Sequence, residues 1–122
     1  MSVPPYDRLM LPLLRLLADG MDHNVRDLRE TLAKEFHLTE AERRQRIGVG
    51  RLAFDSRLAW AKTYLVKSGL VDSPRRGTCR ITQAGRMVLG EKPARLNRAY
   101  LLRYRGFRAF ALPADKRATR RT

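Results

Sequence analysis

A mainly α fold carrying a small β-hairpin is the class this sequence predicts, and three observations predict it. The stretch Arg51 to Ser68 places Phe54, Leu58, Ala61 and Leu65 at i, i+4, i+7 and i+11, the spacing of a helix with one buried face. Directly after Gly69 come two short strand-like runs, Leu70–Ser73 and Thr78–Ile81, separated by the turn Pro74-Arg75-Arg76-Gly77. Earlier in the chain, apolar residues recur at helical spacing between recognisable caps and stops.

Taken in order, Tyr6 to Ala18 reads as a helix with Leu9, Leu13, Leu16 and Leu17 facing inward and Asp19-Gly20 ending it. Pro5 suits its first turn, and Pro12 predicts a kink or a shifted start. Asn24 is a good N-cap for a second helix over Val25–Phe36, whose inner face is Val25, Leu28, Leu32 and Phe36. Thr39 and Glu42 form a capping-box pattern at the start of a short third helix within LTEAERRQRI, with Arg43, Arg44 and Arg46 exposed. Gly48-Val49-Gly50 reads as the turn before the long helix; it lacks the further residues of a phosphate-binding fingerprint. After the hairpin, Thr82 caps a helix from Gln83 to Leu89. Pro93 to Tyr104 is expected to form one more helix, with Phe107 and Phe110 as apolar anchors beyond it. The last ten residues, PADKRATRRT, are basic and expected to be disordered. Residues 1–91 are therefore read as one domain, and 92–122 as a basic connector and tail. Helices followed by a two-stranded hairpin with a basic tip make up the pattern of a winged helix-turn-helix.

Charge narrows the partner. The 122 residues carry a net charge of +14 and a pI near 11.3, with a hydrophobic fraction of 43% that suffices for a modest core. Residues 1–40 hold 5 Lys/Arg against 7 Asp/Glu, whereas 41–122 hold 21 against 5. A basic surface confined to part of a folded chain points to a polyanion, most often nucleic acid. A membrane is disfavoured by the absence of a long apolar run. The single Cys79 excludes an internal disulfide and points to a reducing compartment; with no signal peptide in view, cytoplasm is expected. His23 and His37 have no partners at ligand spacing, and neither a metal nor a cofactor is expected.

The long helix presents Arg51, Asp55, Ser56, Ala59, Lys62 and Thr63 away from its apolar stripe. Small polar residues opposite a buried face suit the DNA major groove, although an ordinary surface helix shows the same pattern. The DNA-contact candidates are Arg51, Ser56, Arg57, Lys62 and Thr63 on this helix and Arg75 and Arg76 on the wing. Arg43, Arg44 and Arg46 are further phosphate candidates, and Arg57, at the edge of the buried stripe, has an inward alternative.

In combination, VPPYDRLMLPLLRLLADG, LTEAERRQRI and FDSRLAWAKTYLVKSGLVDSPRRGTCRITQAGRMVL resemble the N-terminal domain of Mrr-type restriction endonucleases over about residues 3–90. YLLRYRGFRAF resembles the connector that follows it. Ser56 stands where that family's pattern has Asn. The resemblance implies a winged helix that binds double-stranded DNA, with methylated DNA a candidate target, and a separate nuclease domain of the PD-(D/E)xK class. No Asp-x-Lys or Glu-x-Lys element occurs in this chain, so the chain itself is not expected to be an enzyme. Cys79 reads as a structural thiol, and no Gly-x-Ser-x-Gly occurs. The alternative function is a protein-interaction module, with YLLRYRGFRAF forming a homodimer or docking a nuclease partner. A third reading is single-strand or RNA binding through the Arg/aromatic tail.

Overall fold

In the computed structural model, residues 3–47 and 50–111 are described. Gly48-Val49 of the expected turn and the basic segment 113–122 lie outside the described residues. The elements run α1 (Tyr6–Leu16), β1 (His23–Asn24), α2 (Val25–Glu35), α3 (Glu40–Arg44), β2 (Arg46–Ile47), β3 (Arg51–Leu52), α4 (Ala53–Lys67), β4 (Val71–Asp72), β5 (Thr78–Ile81), α5 (Gln83–Gly90), α6 (Arg98–Leu101) and α7 (Arg105–Ala111). The mainly helical winged-helix class is what the sequence predicts.

Local chemistry explains the boundaries. The Asn24 side chain accepts from the Arg26 amide at 2.8 Å and starts α2. Thr39 and Glu42 close the capping box reciprocally, at 3.1 and 2.8 Å. Thr82 caps α5 by accepting from the Gly85 amide at 3.1 Å, and its hydroxyl donates to the Gly69 carbonyl at 2.6 Å. Gly69 and Gly77 have φ of +82° and +76°, conformations that let the chain leave α4 and close the wing without a Cβ penalty. Pro12 lies inside α1 rather than ending it, so the Arg8 carbonyl goes without its usual helical donor.

The core forms where α1 packs along α4. Leu9, Met10, Leu13 and Leu14 of α1 meet Phe54, Leu58, Ala61 and Leu65 of α4, and all eight are buried. The predicted stripe of the long helix is thus its core face. Antiparallel pairing places Val71 opposite Ile81 and Asp72 opposite Arg80 in the wing.

Three local expectations change. The sheet has a third strand: β1 pairs with β5, His23 opposite Cys79 and Asn24 opposite Thr78. His23 therefore lies on a strand, where its ring bonds the Asp19 carboxylate at 2.8 Å. The long helix starts at Ala53, not Arg51, because Arg51 and Leu52 pair with Ile47 and Arg46 in a separate small ladder. The Ala53 amide then donates to the Gln45 carbonyl at 2.7 Å, closing that ladder against the helix start. The C-terminal helix is two pieces: Asn97 accepts from the Tyr100 amide at 2.8 Å and starts a fresh turn, so Pro93–Tyr104 does not run through.

The segment after residue 91 is fastened to the same core. Leu96, Leu101 and Phe107 are completely buried. Tyr64 of α4 is the hub, with Tyr6, Phe107 and Phe110 edge-on to it at 4.9, 5.1 and 5.8 Å between centroids. No helix among the described residues is long and apolar enough to cross a membrane.

Candidate nucleic-acid interface

Because Phe54, Leu58, Ala61 and Leu65 turn α4 inward, helical geometry points Ser56, Ala59 and Thr63 outward. That outward face is the floor of two adjoining concavities, which share Ala59 and Thr63.

The first concavity, of about 510 Å³, lies between α4, the N-terminal turn of α2 and the wing. Four cations line it: Arg26 and Arg29 from α2, Lys62 from α4 and Arg76 from the wing tip. The Val25 amide donates to the Gly77 carbonyl at 2.8 Å, which sews the wing to the start of α2 and brings those cations together. Arg75 and Arg76 are exposed, and Ser73 stiffens the tip by donating to the Thr78 carbonyl at 2.9 Å.

The second concavity, of about 590 Å³, lies on the α7 side of the same face. Arg51, Ser56 and Thr63 line it, together with the aromatic side chains of Trp60 and Phe110. Asp55 also borders it, and its carboxylate lies 3.7 Å from the Arg29 guanidinium. Arg51, Ser56, Lys62, Thr63 and Arg76 thus lie on one continuous surface.

The remaining candidates sit elsewhere. Arg57 turns inward and donates to the Val3 carbonyl at 2.8 Å. Arg43 is not the freely exposed side chain expected from sequence. It donates to both oxygens of Glu30, at 3.2 and 2.8 Å, and lies over the Phe54 ring at 5.7 Å. That grip holds the Glu30 carboxyl below its ordinary range and raises the Arg43 guanidinium. Arg44 is exposed and paired with Glu40 at 3.4 Å. Arg46 is exposed on β2, beside the α4 entry.

Arg26, Arg29 and Phe110 were not among the sequence candidates. Arg26 carries a weak local signal, since it follows a capping Asn at the first turn of a helix preceding the long one. Phe110 reads in sequence as an apolar anchor, but only the fold returns α7 to α4 and shows where it docks.

Among the described residues, no cluster of three His, Cys, Asp or Glu could hold a metal ion. Cys79 is fully buried on β5, and burial pushes its thiol upward, the reverse of an activated nucleophile.

A family model described as the Mrr N-terminal domain matches residues 6–91. The type IV methyl-directed restriction enzyme EcoKMrr of Escherichia coli (strain K12) is 36% identical over 86 residues, covering 70% of this chain. The chain spans 28% of that relative's length. No solved structure matches.

Proposed function

The chain belongs to the Mrr N-terminal domain family, and from that premise we propose that it is the double-stranded DNA-binding part of a restriction-type system. In this reading α4 lies in the major groove, with Ser56 and Thr63 towards base edges and Lys62 towards phosphate. Arg26, Arg29 and Arg76 hold the flanking backbone, and Arg75 extends the wing along phosphates or the minor groove. Arg51, Arg44 and Arg46 are outlying phosphate contacts. The relative's name describes a methyl-directed enzyme, and methylated duplex is accordingly the first target to offer.

The observation that carries the reading is the four-cation concavity built from three separate elements around the outward face of α4. Scattered solubilising charge has no reason to converge in that way. The alternative is a dimerising or nuclease-docking module built on YLLRYRGFRAF. It has less to draw on, because Leu101 and Phe107 of that stretch are already spent inside the domain's own core.

The test is duplex titration at several salt concentrations. If five or six phosphates are neutralised, log K falls against log salt with a slope of about −5. Replacing Arg75 and Arg76 together should reduce that slope by about 2 and weaken all sequences alike. A slope unchanged by that double substitution removes the wing from the interface, and no duplex binding at low salt overturns the reading altogether.

A further inference from the structure

The basic concavity answers to a nucleic-acid backbone, but the aromatic one beside it does not. Trp60 and Phe110 are 49% and 38% exposed, two large rings left to solvent on the edge of a strongly cationic surface. Both are held in place. Tyr64 meets Trp60 edge-on at 6.0 Å and Phe110 at 5.8 Å, and the Lys67 ammonium lies over the Phe110 ring at 5.5 Å. The polar side chains that line this groove are few: Asp55, Ser56, Thr63 and Arg51.

We propose that this groove receives a single unstacked nucleobase of the bound nucleic acid, lying against Trp60, with Asp55 accepting from its exocyclic amine. The proposal rests on the DNA-binding reading above and adds to it a site and a ligand. Within a paired duplex α4 meets only base edges, whereas an exposed indole offers a face, and a face needs a base taken out of the stack. The groove's roughly 590 Å³ and its open side accommodate one nucleotide. A carboxylate on a DNA-facing surface is ordinarily repelled by phosphate; here Arg29, 3.7 Å away, offsets its charge. An ionised carboxylate only accepts hydrogen bonds, so it favours a base with an amine, such as cytosine, over thymine. Arg51, which also lines the groove, would meet the phosphate beside the displaced base.

Trp60 is the chain's single tryptophan, so intrinsic fluorescence reports on this groove directly. The experiment titrates the full chain with one duplex in four forms: fully paired, or with a one-nucleotide bulge of cytosine, thymine or an abasic residue. The cytosine bulge should bind about tenfold tighter than the paired and abasic forms, because its unstacking is already done. It should also quench Trp60 emission. Trp60→Ala should abolish the tenfold difference, and the isosteric Asp55→Asn should remove the preference for cytosine over thymine. If all four forms bind equally and emission does not change, the base site is refuted while the duplex-binding reading stands. If no form binds, both fall. If Trp60 emission shifts with the concentration of the protein alone, a second copy of the chain covers the groove and the proposal fails.

Discussion

Arg57 reaches across 54 positions of sequence to donate to the Val3 carbonyl at 2.8 Å, tying the start of the chain to the middle of α4. Val3 is 2% exposed, so that carbonyl sits in a region with little water to replace the guanidinium. Arg57→Ala should lower stability by about 1–3 kcal/mol in urea unfolding, the usual cost of losing a charged donor to a buried acceptor. The salt slope of duplex binding should not move. A slope reduced by about 1 would instead return Arg57 to the phosphate contacts.

Arg26 and Lys62 make the opposite prediction. Both line the basic concavity, and neither forms an ion pair among the described residues. Substituting either with Ala should leave thermal unfolding nearly unchanged and reduce the salt slope by about 1. Arg43→Ala should do the reverse, because its guanidinium is occupied by Glu30 and Phe54. Equal effects of all three substitutions on the slope would mean that charge alone, not its placement, governs binding.

Gly106 marks where α7 seats against the end of α4. A Cβ there would come within 2.7 Å of the Lys67 carbonyl oxygen, a backbone atom with little freedom to retreat. Gly106→Ala should therefore destabilise by about 1–3 kcal/mol despite its better helix propensity. Urea unfolding checks this, and a variant at least as stable as the parent would show that α7 does not seat as described.

Tyrosine titration gives a pH test. Burial, the neighbouring Tyr104 and the hydrogen bond to Glu91 push Tyr100 up to about 12, and burial also raises Tyr6. In the native protein these two of the four tyrosines should ionise late when followed by absorbance at 295 nm. The folded state holds the Tyr100 proton more tightly than the unfolded chain, whose phenol titrates near 10. That contribution to stability is complete below pH 10 and is lost as pH rises towards 12. Tyr100 ionising near 10 at a pH where the fold persists would contradict it.

Much of the scaffold was legible because it rests on periodicity and caps. The Phe54–Leu65 stripe, the Thr39–Glu42 box, the Asn24 and Thr82 caps and the hairpin around Arg75-Arg76 are all local signals. The two-residue strands outside the hairpin were not legible. His23–Asn24 and Arg51–Leu52 are too short to alternate, and they exist only because β5 and β2 lie alongside. Arg43 and Arg57 show the same limit at side-chain level. Arg43 looks like a free cation in sequence and Arg57 leaves its inward alternative without a partner, and each is claimed by an acceptor that the fold brings from 13 or 54 positions away. The aromatic groove was hidden for that reason too, since Trp60 and Phe110 are 50 positions apart.

The family match ends at residue 91, but the core does not. Leu96, Leu101 and Phe107 are all 0% exposed, and Phe107 packs on Tyr64 at the centre of the aromatic cluster. Burying each such side chain contributes about 1.5–3 kcal/mol, so removing the segment costs roughly 5 kcal/mol or more. Small domains have only about 5–15 kcal/mol to lose. A fragment of residues 1–91 should therefore melt far below a fragment of residues 1–111 by circular dichroism, or be unfolded at 25 °C. It should also expose Tyr64 and the inner side of Trp60, giving red-shifted tryptophan emission. Matching melting curves would show that the domain is complete at residue 91 and that the C-terminal helices are an attachment to it.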